Sequence, residues 1–199
     1  MIRPMLFAST LFLLLGCGPS THIVDSWRDP AVTVDTAKVH KFVVAALLKN
    51  QTVRRQVEDD MAARYPGKAV PSYQELGDND LQQSDQVYNE KLKADGFDGI
   101  VIMRLVNVNN TTRYVPGNNP TYFGSWRGYW RYSWGSFYDP GYYTTDKRYN
   151  IEVTVYSLKR DKLIWTANTT TIDPTNRVEL FDEVSRVVLK RMQQEKFLQ

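Results

Sequence analysis

The chain has 199 residues, 42% hydrophobic and 24% charged, with 25 Lys+Arg against 22 Asp+Glu. That length suits one domain with a buried core, and the composition argues against wholesale disorder. A net charge of +3 spread without a basic block leaves no footprint for nucleic acid. One cysteine rules out an internal disulfide and every multi-cysteine zinc pattern, and two histidines leave little for a metal or a His-based relay.

Residues 1–17 begin with a positive Arg3 and continue as an apolar run from Met5 to Leu15. Eleven residues are too few for a spanning helix, which needs about 20, so the run reads as a secretory signal. It closes on Leu14-Leu15-Gly16-Cys17, which resembles the lipobox of bacterial lipoproteins. That resemblance implies cleavage after Gly16, lipidation of Cys17 by diacylglycerol and acylation of the new amino terminus. Acyl chains at about 0.8 kcal/mol per buried methylene give a stable anchor. Gly18, where an Asp would signal retention at the inner membrane, implies the outer membrane with the domain facing the periplasm. Loss of residues 1–16 removes one cation, Arg3, leaving 24 against 22, or +2.

Residues 17–37 lack a sustained period and read as a tether, with Trp27 expected to pack on something. From residue 38 to 198 the pattern is that of a single α/β domain. Phe42 to Leu48 is continuously apolar, as in a strand covered on both faces. Asn50 is placed to cap a helix with Val53, Val57, Met61 and Tyr65 on one stripe, stopped by Pro66-Gly67. Arg54, Glu58 and Asp59 fall off that stripe, so Glu58-Asp59-Asp60 reads as a solvated face and not a metal cluster. A short strand from Ala69 to Tyr73 follows. Ser84 is set to cap a second helix with Val87, Tyr88 and Leu92, closed by Gly96 and Phe97 in a Schellman-like stop. A further strand runs from Gly99 to about Val108.

An insertion at about 109–147 precedes a β-hairpin, in which Ile151, Val153 and Val155 alternate with polar residues and Leu163, Trp165 and Ala167 alternate again around a turn at 159–162. Asn176 and Glu179 form a capping box for a last helix that presents Leu180, Phe181, Val184, Val188 and Met192 to the sheet. The expected fold is therefore α/β: a three-layer mixed sheet, βαβαβ followed by a hairpin and a C-terminal helix.

This order resembles periplasmic α/β lipoproteins of the group that includes the curli secretion channel and the lipoprotein activators of peptidoglycan synthases, with the amino-terminal domain of TolB as a fold relative. The residues that carry the resemblance are the Val43–Leu48 strand with Asn50, the Asp98-Gly99-Ile100-Val101 strand entry, and Tyr156 with Leu163-Ile164-Trp165. The resemblance implies compartment and fold. Its members are mostly binding or assembly proteins, and none of their functional residues has a counterpart here.

No catalytic set emerges from the sequence. His22 lies in the tether and His40 at a strand entrance, Asp78, Asp80 and Asp85 lack the bidentate Glu of a calcium loop, and Lys49-Asn50-Gln51-Thr52 contains no phosphate-cradling glycine. The expectation is a protein without enzyme activity, metal or cofactor.

The informative stretch is 121–143, which holds 11 of the chain's 25 aromatics and three of its five tryptophans. Tyr122, Trp126, Trp130, Tyr132 and Trp134 fall at even positions with glycines between, while Arg127 and Arg131 fall at odd ones. If extended, one face is aromatic and the other mainly polar. Three readings compete: a hairpin folded back onto the domain, a recognition surface in which aromatic faces stack on sugar rings while Arg127 and Arg131 meet carboxylates or phosphates, and membrane contact. The leading functional expectation is a non-enzymatic envelope lipoprotein. It would be anchored by Cys17 and bind an envelope protein or glycan, peptidoglycan among them, through Tyr122, Trp126, Arg127, Trp130, Arg131 and Trp134. The alternative is a component of an oligomeric assembly or secretion channel.

Overall fold

The computed structural model describes residues 20–76, 85–115, 127, 130 and 141–199. Six strands form one mixed sheet in the order β1-β6-β5-β4-β2-β3. They are β1 (Thr21–Arg28), β2 (Phe42–Leu47), β3 (Ala69–Pro71), β4 (Gly99–Val115), β5 (Tyr142–Ser157) and β6 (Lys162–Ile172). The helices are α1 (Gln51–Ala63), a single turn α2 (Ser72–Glu75), α3 (Asp85–Ala94) and α4 (Arg177–Gln194). β2 pairs in parallel with β3 and β4, as crossover units require, and β4, β5, β6 and β1 pair antiparallel.

The continuous apolar run of β2 is explained by burial on both faces. Val44 and Ala46 point into the main core, where Val57 and Met61 of α1 and Leu180, Phe181, Val184 and Val188 of α4 meet Met103, Ile151, Val153 and Trp165 of the sheet. Val43 points the other way and packs with Leu92 of α3, Phe97 and Leu158. The three expected layers are present. Truncating Phe181, 1% exposed, is the kind of core change that costs about 3–5 kcal/mol.

The helix ends follow their local chemistry. Asn50 Oδ1 accepts from Val53 N at 3.1 Å, and Asn176 Oδ1 accepts from Glu179 N at 2.9 Å, which fixes the starts of α1 and α4. Gly96, at φ +80°, takes the left-handed position after α3, and the Phe97 amide reaches back to the Leu92 carbonyl at 2.9 Å.

Three expectations need correction. Residues 21–28 are not tether: they form edge strand β1 along β6, from Thr21 opposite Thr171 to Arg28 opposite Trp165. The chain after β1 is also held, because Val34 donates to the Phe197 carbonyl at 2.7 Å and receives from the Gln199 amide at 2.9 Å. The strand hides in the sequence because its core-side positions Thr21, Ser26 and Arg28 are polar and a register shift between Ile23 and Asp25 breaks the period of two. Tyr73 is not in β3. The Glu58 carboxylate draws Ser72 Oγ (2.8 Å) and the Tyr73 amide (3.2 Å) into a helical turn. Glu58 itself is fully buried and does not belong to a solvated face.

Candidate functional site

Near the carboxyl ends of the parallel strands β2 and β3, Glu58 ties three elements together. Its Oε1 accepts from the Ala46 amide at 2.9 Å, Arg54 Nε at 3.0 Å and Ser72 Oγ at 2.8 Å. Arg54 also donates to Ser72 Oγ at 3.0 Å. A buried carboxylate with this many donors is a structural keystone, and its lone pairs are already committed to the protein. Among the described residues, no group of three or more His, Cys, Asp or Glu is placed to hold a metal ion. Between α1 and α4 a groove of about 700 Å³ includes Asp60, Arg64, Glu179, Asp182 and Ser185 in its lining. Arg64 pairs with Asp182 in its wall.

The feature that projects is the β4–β5 pair. β6 accompanies β5 only as far as Arg148 opposite Ile172, and β2 accompanies β4 only from Gly99 to Arg104. Beyond that point β4 and β5 continue alone through six rungs, from Asn110 opposite Lys147 to Val115 opposite Tyr142. At about 3.4 Å per residue, this two-stranded ribbon reaches roughly 20 Å past the sheet. The expected strand limit near Val108 is therefore too short. The seven further residues of β4, six of them polar or aromatic, carry no core-facing pattern because the ribbon has no core to face.

Local contacts hold the ribbon. Asp173, at φ +45°, clamps its root: its Oδ1 accepts from the Lys147 amide at 2.7 Å, and its own amide donates to the Lys147 carbonyl at 2.9 Å. Further out, the Thr112 and Thr145 hydroxyls meet at 3.0 Å, and Arg113 pairs with Asp146 at 3.2 Å. The outer end is aromatic. Tyr114 and Tyr143 pack across the strands with rings tilted by 54° and centroids 5.2 Å apart, on the face opposite Tyr142. Tyr142 and Tyr143 are 64% and 75% exposed. Gly141, at φ +82°, enters β5 where a Cβ would lie 2.5 Å from the Val115 carbonyl oxygen, so no other residue fits that corner without opening the ribbon.

Of the six binding residues expected from sequence, Arg127 and Trp130 fall among the described residues; both are exposed, Trp130 by 61%. Tyr122, Trp126, Arg131 and Trp134 lie outside them, as do Cys17 and the candidate cap Ser84. The structure adds Tyr114, which sequence reading overlooked. Its signal is the β-branched and aromatic run Thr111-Thr112-Arg113-Tyr114-Val115 that leads into the aromatic segment.

A second exposed apolar zone lies on the sheet face opposite α1 and α4. By register, Trp27, Leu47 and Tyr156 point to that side and are 49%, 50% and 40% exposed. Trp27 therefore lies largely open and does not pack as expected. His22 and His40 are both exposed, and His40 Nδ1 lies 3.5 Å from Asp98.

No protein-family model and no curated protein matches the chain. Among solved structures, the chain is similar to a PelC dodecamer from Paraburkholderia phytofirmans, with 7% identity and a TM-score of 0.40 over 84% of this chain and 94% of that one. It is also similar to lipoprotein GNA1162 from Neisseria meningitidis, with 6% identity and a TM-score of 0.39 over 77% of this chain and 98% of that one. Likeness at this level carries no role from either protein to this one.

Proposed function

We propose that this protein is a non-enzymatic lipoprotein of the bacterial outer membrane, held by lipid on Cys17, that binds an outer-membrane or periplasmic partner, glycan included, through the aromatic segment mounted on the β4–β5 ribbon. The observation that carries the reading is the ribbon itself. A domain whose core is complete without it extends six rungs of backbone to present exposed Tyr142 and Tyr143. Exposed aromatics cost solubility, and a stiff projection that concentrates them fits a contact surface better than packing. The reading is also supported by the sequence at both ends of the arrangement: the lipobox-like Leu14-Leu15-Gly16-Cys17, and the run from Tyr122 to Trp134 with Arg127 and Arg131 interleaved. Aromatic faces stack on sugar rings or sit at interfaces, and guanidinium groups pair with carboxylates and phosphates.

Two measurements test it. Metabolic labelling with palmitate should mark the protein, and Cys17→Ser should abolish the label; a labelled Cys17→Ser variant overturns the anchor. The purified lipidated chain should cosediment with peptidoglycan, and Trp126→Ala/Trp130→Ala should weaken this severalfold. Equal sedimentation of both proteins, or none, removes the glycan form of the proposal.

A further inference from the structure

The register of the sheet fixes which end of the domain the lipid and the ribbon share. Thr21 of β1 is level with Thr171 of β6, Tyr149 of β5 and Val108 of β4. One step further out, the Ser20 carbonyl accepts from the Ile172 amide, level with Arg148 and Asn109. The next rungs outward belong to the ribbon. The chain preceding β1 and the ribbon therefore leave from the same end of the sheet, while Trp27 and Trp165 sit at the opposite end, beside Arg28.

Lengths then decide what the ribbon meets. Cys17 is three residues before Ser20, and three residues span at most about 11 Å even when fully extended. The ribbon reaches roughly 20 Å beyond the same level. Four strands at about 4.8 Å spacing separate β1 from β4 by only about 14 Å sideways. A lipid on Cys17 thus holds this end of the domain closer to the bilayer than the ribbon is long.

From this we infer that the ribbon is a second membrane contact: its aromatic end, Tyr114, Tyr142 and Tyr143, lies in the headgroup region of the same bilayer that holds the lipid. The chemistry of the ribbon is graded to suit. Tyrosines occupy its two outermost rungs, Arg113 the next one in, and the exposed cations Lys147 and Arg148 lie at its root. Tyrosine and tryptophan favour the headgroup level, where the ring is partly buried and its polar group stays wet. Cations set back from the aromatics face the anionic headgroups. Two points of attachment, a lipid and a ribbon about 14 Å apart, also fix the orientation of the domain, which a tether alone leaves free. This inference deepens the reading above and rests on a lipidated Cys17 and on the ribbon as the binding element.

The test is tryptophan quenching by brominated lipid. The full-length lipidated chain is reconstituted into vesicles of phosphatidylethanolamine and phosphatidylglycerol, with or without bromine near the top of the acyl chains. Flotation with the vesicles reports the anchor, and quenching reports the ribbon. The expected result is that Tyr143→Trp, placed in a Trp126→Phe/Trp130→Phe/Trp134→Phe background, adds an emission that brominated vesicles quench, while the background chain emits equally in both vesicles. A Tyr143→Trp chain that floats but shows equal emission in both vesicles overturns the membrane contact while leaving the anchor intact. A chain that does not float contradicts the anchor and the inference with it. Quenching that purified peptidoglycan reverses assigns the aromatic segment to glycan and overturns the bilayer as its resting partner.

Discussion

Glu58 shows how one side chain reorganises its surroundings. It donates nothing and accepts from a strand amide, a guanidinium, a hydroxyl and an α2 amide, so β2, α1 and α2 converge on one carboxylate. Removing it leaves the Ala46 amide without its acceptor and takes the carboxylate from partly buried Arg54, so Glu58→Ala should cost about 3–5 kcal/mol in urea unfolding. Glu58→Gln, which keeps the volume and one acceptor, should cost less. A loss below about 1 kcal/mol for the alanine would contradict the keystone role. Glu195 makes a different prediction. Burial raises its carboxyl, but hydrogen bonds from Ser26, Trp165 and Arg191 and the Arg191 charge outweigh that and hold it below the usual value of 4.5. A lowered folded-state value means that the ionised form is the stabilised one. Its contribution is therefore complete above the ordinary glutamate range and is lost as pH falls through the lowered value. Thermal midpoints measured downward from pH 5.5 should fall less steeply in Glu195→Gln than in the parent; identical slopes would contradict this.

At the scale of elements, what the sequence revealed depended on burial. β2, with both faces covered, and the β5–β6 hairpin, with one face on the core, write their patterns plainly. So do the caps at Asn50, Asn176 and Gly96, because each is a local contact between near neighbours. β1 and the outer half of β4 do not. β1 is an edge strand whose Val24 and Trp27 are exposed, and β4 beyond Val108 pairs with β5 alone among the described strands. Glu58 was misplaced for a related reason: helical period puts it on the polar side, and only the approach of α2 makes that side an interior. The ribbon was half legible. Its aromatic content marked a special segment, but that β4 and β5 run on as paired strands to carry it depends on pairing between residues 33 apart, such as Thr112 with Thr145. An element without core contacts should be separable. Replacing residues 112–145 with a two-residue Asn-Gly turn between Thr111 and Asp146 should leave the thermal midpoint unchanged and abolish envelope binding. A large drop in midpoint would show that the ribbon supports the domain after all.

The whole molecule divides its labour between a conventional three-layer body and one projecting ribbon. The body supplies rigidity: its sheet carries the ribbon on two strands that are also central to the core, so force on the outer end is transmitted into β4 and β5. The polarity of the sheet supplies direction, because β1 and the ribbon emerge at one end. The near-neutral charge of the chain, +3, leaves recognition to aromatic surface and locally placed cations instead of a long-range field. On the proposed reading the ribbon, not the body, makes the contact with the envelope. The most direct measurement places a benzoylphenylalanine photo-crosslinker at Tyr143 or, for comparison, at exposed Glu90 on α3, in the full-length protein in intact bacteria. Light-dependent adducts to envelope lipid, glycan or protein are expected from position 143 and none from position 90. Adducts from position 90 alone, or none from position 143, would contradict it.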